Sequence, residues 1–476
     1  MFTSPLEVFE YFGSFVNFER TQKQSIREYR LDRMKALLQH FGNPHDAMDT
    51  IHIAGSKGKG STAAYLARCL ESCGNTVGLY GSPHVSDYRE RISAAGSFFP
   101  DKLYIEQGRR ILEELENLRK KEAVAEAEPT AFELFTLLAF LVFQAAGCNI
   151  AVIETGIGGR LDATNVIHPL AAVITPIERE HTDLLGTSID QIAREKAGII
   201  KPKIPVFCAG QPHPAAKRII EEKSRSQGGQ FFYLPEEISL VNTSLSPEGT
   251  RTKARWLHPA ERQHGQTDPT DLTIRRGCDF DICLSMIGTS QAENALLSLL
   301  CMKTLIAART LQAEGTSFQS LFEKHFRAAL ASVRLPARME IAGRDPYLVL
   351  DGAHTPVSLR RTVETFHHLF GSSGVCIFGA VEGKDIEGMA GIVSSAFPRV
   401  IISTPGSFKP NRPEEVFRIF RSRSDTVSFE PDPEKALQKA LQSGQFPKDR
   451  QYPILVTGSF YMAAEIRSLV IPREVS

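Results

Sequence analysis

Short apolar runs alternate, along the first half of the chain, with longer segments whose apolar residues recur at helical spacing. The runs are rich in β-branched residues and predict strands; they are TIHIAG, TVGLYGSPH, NIAVIETGIGGR, LAAVITPI and IPVFCAG. Helical spacing predicts helices over residues 31–42, 61–74 and 130–146, and a glycine ends each of the first two. Strands that alternate with helices predict a doubly wound, mostly parallel α/β sheet.

A second α/β unit is predicted from about residue 335. Its strands are YLVLDGAH, VCIFGAV, RVIIST and YPILVTGS, and helical segments separate them. Because these strand ends are rich in Gly, Asp, His and Ser, we expect a smaller Rossmann-like C-terminal domain over residues 335–476. The P-loop-type sheet then belongs to an N-terminal domain over residues 1–334.

Residues from about 236 to 275 are polar, contain prolines and show no period, which predicts a long surface insertion in the N-terminal domain. This segment holds Trp256, the single tryptophan of the chain, and several basic residues. A solvated loop is the simpler interpretation, and a nucleic-acid contact is the alternative.

The length and charge of the chain limit the number of domains and the classes of partner to be expected. The 476 residues exceed what one core usually supports, so two domains are expected. Lys plus Arg and Asp plus Glu number 55 each, so no net field attracts nucleic acid or a membrane surface. The most apolar stretch, residues 134–143, is far shorter than the roughly 20 residues that a bilayer requires, and no signal peptide is evident. We expect a soluble cytoplasmic protein, and we take it to be a monomer.

The segment GSKGKGS joins a predicted strand to a predicted helix, where free backbone N–H groups and the helix dipole bind anions. Lys59 can reach phosphates, Ser61 or Thr62 can meet a metal or a phosphate oxygen, and Gly58 and Gly60 leave room. The strict P-loop pattern is not met, because Gly60 separates Lys59 from Ser61. A tight turn without a ligand is the alternative, but the position between strand and helix favours a nucleotide site.

Other candidate groups also follow predicted strands. Glu154 ends a strand where ligands of open α/β sheets gather, and its carboxylate suits magnesium, with a pair to Arg160 as the alternative. His181 and Lys196 follow the next strand; taken alone, His181 is more simply explained as a structural histidine and Lys196 as a solvated lysine. Cys69 and Cys73, four residues apart on a predicted helix, lack a second pair for a metal site and are interpreted as buried.

Several motifs in sequence order resemble those of the folylpolyglutamate synthase and dihydrofolate synthase family, a branch of the Mur-type ATP-dependent ligases. They are LDRMKALLQHFGNP, GSKGKGS, SPHVSDYRERI, TAFELFTLLAF, ETGIGGRLDATNV, HTDLLG, REKAGI and LDGAH. The resemblance runs from about residue 8 to the end and is broken mainly by the insertion. The family's loop is similar to GTNGKGS, so the departure from the strict P-loop is itself typical of this family.

The resemblance implies ATP and two magnesium ions as cofactors. The residues implied to bind ATP are Gly58, Lys59, Gly60, Ser61, Asn294, Arg338 and Asp351, with His354 beside them. The implied magnesium ligands are Ser82, Glu154 and His181. Lys196 matches a lysine that is typically carbamylated in the family and can then help to hold a second magnesium. Thr130, Ala131, Phe132 and Glu133 match a segment that lines the pterin-bearing substrate.

The implied reaction adds L-glutamate to dihydropteroate, to a folate, or to both, through an acyl phosphate, with Lys59, Lys196, His181 and Arg338 as catalytic residues. Its partners are small molecules, without nucleic acid or membrane. The alternatives are a Mur-type ligase of cell-wall peptides, a nucleotide-binding protein that has lost ligation, and a nucleic-acid binder. RLDATN and LDRMKALLQHFGNP favour the folate branch, and TAFE favours dihydrofolate synthase activity.

The chain departs from the family pattern at three places. Ser56 and Lys57 replace the usual Thr-Asn of the loop, and Lys57 either strengthens nucleotide binding or points outward. LPARME lacks the usual glycine before its arginine, and Thr355 stands where the family has asparagine. We expect these departures to affect the domain interface more than the phosphate site.

Overall fold

The computed structural model describes residues 2–16, 31–120, 128–257, 278–308, 317–442 and 452–471. Within these residues the strands form three sheets. The strands of the first sheet are β1 (Asp49–Ala54), β2 (Val77–Tyr80), β3 (Ile92–Ala94), β4 (Ile150–Glu154), β5 (Ala171–Ile174), β6 (Val206–Cys208) and β7 (Phe231–Tyr233). The helices around it are α1 (Pro5–Gly13), α2 (Leu31–His40), α3 (Lys59–Ser72), α4 (Asp101–Lys120), α5 (Ala131–Ala145), α6 (Thr182–Leu185), α7 (Ile189–Lys196), α8 (Pro214–Ser226) and α9 (Leu234–Glu237).

The first sheet has seven strands in the order β3-β2-β4-β1-β5-β6-β7, and β3 alone runs antiparallel to its neighbour. Successive residues of β5 face opposite sides: Val173 packs with the core under α3, and Ile174 packs with the core under α7 and α8. Both faces are therefore covered by helices, which explains why the strands consist of apolar, β-branched residues. The doubly wound, mostly parallel class predicted from the sequence is confirmed.

The strand register aligns the carboxyl ends of the central strands. Ile53 of β1 lies opposite Glu154, and Ala54 lies opposite Ile174 of β5. The loops that follow β1, β4 and β5 consequently leave the sheet at one edge. That edge is where open α/β sheets bind their ligands.

The expectation of an irregular loop over residues 236–275 is wrong for residues 238–256. These residues form the antiparallel strands β8 (Ile238–Ser246) and β9 (Gly249–Trp256), and β10 (Asp279–Leu284) completes a second sheet. The alternation along β9 is strict, but its buried positions carry Thr250, Thr252, Ala254 and Trp256. Because small polar side chains occupy part of its buried face, the hydrophobicity pattern of the sequence does not reveal this strand. Residues 258–277 lie outside the described residues.

Helical structure returns after β10 and leads to the third sheet. Its helices are α10 (Thr289–Ala307), α11 (Phe318–Leu321) and α12 (Arg327–Ser332), with a π turn over Phe322–Phe326. α10 packs against α3, and the Ser298 hydroxyl donates to the carbonyl of Thr62 at 3.2 Å. This contact buries α3 between the sheet and α10.

The third sheet has six strands, ordered β11-β12-β16-β13-β14-β15, with β11 antiparallel to β12. They are β11 (Glu340–Arg344), β12 (Tyr347–Leu350), β13 (Val375–Phe378), β14 (Arg399–Ile402), β15 (Val427–Phe429) and β16 (Ile454–Thr457). Its helices are α13 (Pro356–Phe370), α14 (Ile386–Ala396), α15 (Pro413–Arg421), α16 (Pro433–Gln442) and α17 (Phe460–Val470). The boundary proposed at residues 334/335 falls between α12 and β11.

None of the helices in the described residues is both long and apolar enough to cross a bilayer. The stretch at 134–143 lies in α5, which is buried on nearly all sides. Cys69 is buried and Cys73 is half-buried, and burial raises the pKa of both thiols.

Candidate functional site

In the loop between β1 and α3, Gly58 has a left-handed backbone conformation that favours glycine. Gly58 has φ +86° and precedes the first turn of α3, and no side chain caps that turn. A Cβ at Gly58 would lie 2.5 Å from Oδ1 of Asn294. The first N–H groups of α3 are therefore open to an anion, and Asn294 of α10, which the resemblance implies for ATP binding, lies beside the loop.

Lys59 and Glu154 face each other across this loop. Lys59 Nζ lies 3.7 Å from Glu154 Oε1, and Glu154 is 4 % exposed. A Cβ at Gly60 would lie 3.4 Å from Glu154 Oε2, so the carboxylate lies directly beside the first turn of α3. Burial raises the pKa of Glu154, while Lys59 and Arg338 act in the opposite direction.

The ion pair with Lys59 shows that the alternative partner considered for Glu154, Arg160, is not the one it has. Arg160 is not its partner, because Arg160 Nη2 lies 2.9 Å from Glu195 Oε1 at the end of α7. The backbone N–H of Ser82, which follows β2, lowers the pKa of Glu154, and a Cβ at the preceding Gly81 would lie 3.2 Å from Glu154 Oε2. Ser82 and Glu154 therefore lie together at the edge of the sheet, as the resemblance implies.

Lys196 is buried under the loop, where the alternative of a solvated surface lysine is wrong. Its side chain is 2 % exposed, and Nζ donates to the carbonyl of Gly55 at 2.7 Å and to Glu180 Oε1 at 2.8 Å. Burial lowers the pKa of Lys196, and Glu180 opposes that shift. Burial disfavours the charged form of Glu180, but the charges of Lys196 and, to a smaller extent, of Lys59 hold the pKa of Glu180 well below its usual range. Glu180 was not singled out from the sequence, although it directly precedes His181.

His181 adopts a left-handed backbone, with φ +47°, at the start of α6. Its side chain makes no capping hydrogen bond there. His181 is exposed at its surface, but desolvation by its surroundings lowers its pKa to about 4, and the nearby Lys196, Lys384 and Lys59 act in the same direction against Glu180. A neutral imidazole at neutral pH retains a lone pair for a metal ion.

Arg338 lies in the C-terminal part of the chain, and its charge lowers the pKa of Glu154. It is half-buried and lies over the ring of Phe460 at 4.0 Å from its centroid. Asp351 anchors the same segment, because its carboxylate accepts hydrogen bonds from the N–H groups of Met339 and Ala353 and from the Thr362 hydroxyl, at 2.8–3.0 Å. These bonds occupy the Asp351 carboxylate and fix the backbone next to Arg338, whose charge lowers the pKa of Glu154.

The TAFE segment presents one side chain to the site. Thr130 and Glu133 form a capping box at the start of α5, and Glu133 also pairs with Arg33 at 2.9 Å. Ala131 is buried. Phe132 is half-buried, and a Cβ at Gly156 would lie 2.6 Å from it. Phe132 is therefore the member of this segment that packs against the loop after Glu154, and the other three build the helix start.

The departures from the family pattern have separate consequences. The Thr355 hydroxyl oxygen caps α13 by accepting from the Ser358 N–H, and the Thr355 N–H donates in return to Ser358 Oγ, so the helix start is retained. Lys57 does not point outward; it is half-buried and interacts electrostatically with Glu180, Glu178 and Lys384.

Among the residues that the structure describes, no group of three or more His, Cys, Asp and Glu side chains is placed to hold a metal ion. The edge offers instead one buried carboxylate, a neutral histidine and a serine. The carboxylate and the serine oxygen suit magnesium, which prefers oxygen ligands and keeps several waters, whereas an imidazole is an unusual ligand for that ion and His181 rests on the resemblance.

Two protein families match the sequence. The Mur ligase middle domain matches residues 53–302, and the Mur ligase, glutamate ligase domain matches residues 337–460. The chain is 30% identical to a dihydrofolate synthase/folylpolyglutamate synthase of Bacillus subtilis, over 92% of this chain and 94% of that protein. It is 31% identical to a folylpolyglutamate synthase of Lacticaseibacillus casei, with the same shares covered.

A solved structure agrees with these matches. The folylpolyglutamate synthase of Mycobacterium tuberculosis in complex with ADP superimposes with a TM-score of 0.82 at 27% sequence identity. The similarity covers 98% of each chain, so both parts of the molecule have counterparts there.

Proposed function

Because the chain belongs to the folylpolyglutamate synthase and dihydrofolate synthase family of Mur-type ATP-dependent ligases, we propose that it adds glutamate to both dihydropteroate and tetrahydrofolate. The coarser activity, ATP-dependent glutamate ligation in folate metabolism, follows from the relatives along the whole chain. The relatives are named for folate substrates, which argues against a cell-wall peptide ligase. The assignment of both acceptors rests on the Bacillus relative, which is named for both activities.

One observation carries the proposal. The loop lysine Lys59 and the strand-end carboxylate Glu154 lie 3.7 Å apart, and the charge of Arg338, in the segment before β11, lowers the pKa of the same carboxylate. A site with one basic group from each part of the molecule suits a phosphoryl transfer between two substrates. Charge on the transferring phosphoryl group is stabilised by cations fixed before the reaction begins.

In the proposed reaction, a substrate carboxylate oxygen attacks the γ-phosphorus of ATP, and ADP leaves. The resulting acyl phosphate reacts with the amino group of L-glutamate, which forms the amide and releases phosphate. The N–H groups at the start of α3 and the Lys59 ammonium orient and neutralise the phosphates. Arg338 adds positive charge from the opposite side of the site.

Magnesium fits the residues at this edge. Ser82, Glu154 and His181 would hold one ion, and Lys196, if carbamylated, would contribute to a second. A carbamate would turn the cation beside Glu180 into an anion, so the two groups would then require a cation between them. Bound magnesium supplies Lewis-acid polarisation of the phosphoryl oxygens.

The test is glutamate-dependent phosphate release from ATP, measured separately with dihydropteroate and with tetrahydrofolate. Release with both acceptors is expected. Release with tetrahydrofolate alone would limit the protein to polyglutamate synthesis and contradict the proposal. Lys59→Met serves as the inactive reference, because it removes the loop cation and leaves the glycines in place.

A further inference from the structure

The loop between β2 and β3, residues 81–91, begins at the candidate site and has a fixed shape. At its start, a Cβ at Gly81 would lie 3.2 Å from Glu154 Oε2. Farther along, the carboxylate of Glu90 accepts successive backbone N–H groups at 2.7–2.9 Å, those of residues 85–87. Because its own carboxylate closes the turn, the loop can transmit the position of one end to the other.

The middle of this loop packs on the third sheet. Val85 packs against the buried cluster that includes Leu348 of β12. The ring of His84 meets Phe408 edge-on with centroids 5.8 Å apart, and Phe408 stacks on Tyr461 of α17 at 5.3 Å. The loop that starts beside Glu154 is therefore attached to the C-terminal part of the molecule by apolar and aromatic contacts.

Arg467 of α17 connects the same loop to the segment that carries Arg338. Its Nη1 donates to the Ser86 hydroxyl at 3.0 Å, and its Nε donates to both carboxylate oxygens of Glu340, at 3.0 and 3.1 Å. Oε2 of Glu340 also accepts the N–H of Ala337 at 2.9 Å. Continuous hydrogen bonds thus run from Ser86 through Arg467 and Glu340 to the residue before Arg338.

The backbone on either side of Arg338 requires such support. Ala337 has φ +53° and Met339 has φ +50°, a left-handed conformation that is uncommon for residues other than glycine. Such a backbone persists only where neighbouring groups hold it. Glu340 binds the N–H of Ala337, and Asp351 Oδ2 binds the N–H of Met339 at 2.9 Å. One carboxylate on each side therefore fixes the place from which the Arg338 side chain leaves.

Both ends of this connection meet at Glu154. At one end Gly81 borders its carboxylate, and at the other end the charge of Arg338 lowers its pKa. The Arg338 guanidinium itself lies over the ring of Phe460, at 4.0 Å from the centroid. A connection with this course can set the position of Arg338 relative to Ser82, which directly follows Gly81.

We propose that Arg467 and Glu340 are positioning residues for Arg338. Together they tie the Arg338 segment to Ser86, and so to the loop whose first residues include Ser82. Arg467 acts through Arg338 and not on the substrates, because Glu340 and Ser86 engage its guanidinium. This inference rests on the proposed function, in which Arg338 adds positive charge opposite Lys59 during phosphoryl transfer.

The experiment measures kcat and KM for glutamate-dependent phosphate release, together with the affinity for the ATP analogue AMPPCP. Arg467→Ala should lower kcat at least about tenfold, because a small displacement of a charge-stabilising group is costly in the transition state. AMPPCP affinity and the KM for ATP should change less than about threefold, since Lys59 and the N–H groups of α3 stay in place. Such a difference between kcat and binding is not expected from a general loss of structure.

Substitutions at Ser86 test the connection with a smaller change. Ser86→Ala should lower kcat at least about threefold, whereas Ser86→Thr, which keeps the hydroxyl, should remain within about twofold of the parent protein. When Ser86→Ala is added to Arg467→Ala, kcat should fall by less than about 1.5-fold further, because the hydrogen bond is already lost. Urea unfolding of each variant gives the folded fraction by which kcat is corrected.

Arg344→Ala is the matched control. Arg344 of β11 also joins the third sheet to another sheet, because its Nη1 lies 3.3 Å from Glu248 Oε1 at the turn between β8 and β9. The two side chains are 59% and 69% exposed, and exposed ion pairs contribute little. This variant should keep kcat within about twofold of the parent protein.

Three results would overturn the inference. They are an unchanged kcat in Arg467→Ala and Ser86→Ala, a loss of AMPPCP affinity as large as the loss of kcat, and fully independent effects in the double variant. Release with a single acceptor would contradict the proposed function alone, and the same comparison would then be made with that acceptor. Absence of glutamate-dependent release with both acceptors would defeat the proposed function and this inference together.

Discussion

The ammonium group of Lys196 lies 2.8 Å from Glu180 Oε1, and this pair is shielded beneath the loop that follows β1. The same nitrogen donates to the Gly55 carbonyl, so Lys196 supports the loop as well as the carboxylate. A charged pair in such a position is sensitive to the loss of one partner, because the other charge is left without compensation.

Lys196→Ala should therefore lower both turnover and stability. Removing the buried cation leaves Glu180 uncompensated, and we expect a loss of about 3 kcal/mol in the free energy of unfolding. Turnover should fall at least a hundredfold, a decrease of the size seen when a fixed charge-stabilising group is removed. Phosphate release and urea unfolding measure the two effects. Adding Glu180→Gln to Lys196→Ala should recover stability but not turnover; recovery of turnover would show that Lys196 is only structural.

Gly58→Ala should weaken nucleotide binding without unfolding the protein. The substitution forces a left-handed backbone, at φ +86°, onto alanine and places a Cβ 2.5 Å from Asn294 Oδ1. We expect AMPPCP affinity to fall at least tenfold in a calorimetric titration. Gly74→Ala is the matched control, because its φ is +89° and no atom lies within 4 Å of the added Cβ. That control should lose about 1 kcal/mol of stability and keep its nucleotide affinity; equal affinities in the two variants would contradict the close contact at Asn294.

His52 should make the protein less stable as the pH falls below about 6.5. It is fully buried in β1, its Nε2 lies 2.9 Å from the Thr164 hydroxyl, and burial lowers its pKa to about 3. The folded state therefore resists a proton that the unfolded state accepts, so stability is full above the unfolded pKa and is lost between pH 6.5 and 3. From pH 7 to pH 5 this group should remove about 2 kcal/mol.

Urea unfolding of His52→Leu at the two pH values isolates that contribution. The parent protein should lose about 2 kcal/mol more than the variant between pH 7 and pH 5. His213→Gln, at an exposed histidine before α8, should behave as the parent does. An identical pH dependence for the parent protein and His52→Leu would refute the assignment.

Trp256→Ala should destabilise the second sheet. Trp256 is 5 % exposed, and its ring stacks on Phe280 at 5.5 Å and meets Phe318 edge-on at 6.0 Å. Removal of a buried aromatic ring usually costs about 3–5 kcal/mol, which thermal or urea unfolding would detect. Arg251→Ala, at an exposed position of the same strand, should change stability by less than about 0.5 kcal/mol. Its burial makes Trp256 unavailable for the nucleic-acid contact considered from the sequence.

The sequence by itself determined the strand–loop–helix units of the first sheet and the order of the family motifs. These features depend on local periodicity and on residue types at fixed spacing, as in the glycine-rich segment GSKGKGS that contains Lys59. The position of Glu154 at the end of a buried strand was also predictable, because parallel strands align their carboxyl ends. The family membership that these motifs predicted is confirmed by the matches along the chain.

Tertiary structure alone decided which side chains meet. Lys196 resembles a solvated lysine in the sequence, and only the fold places it under Gly55 and beside Glu180. β9 resembles a polar loop because burial of its threonines depends on a surface supplied by other elements. The charge of Arg338, distant in sequence, lowers the pKa of Glu154, and Asn294 of α10 lies beside Gly58 of the loop after β1. Such contacts depend on how whole sheets pack together, and no local pattern of residues records that packing.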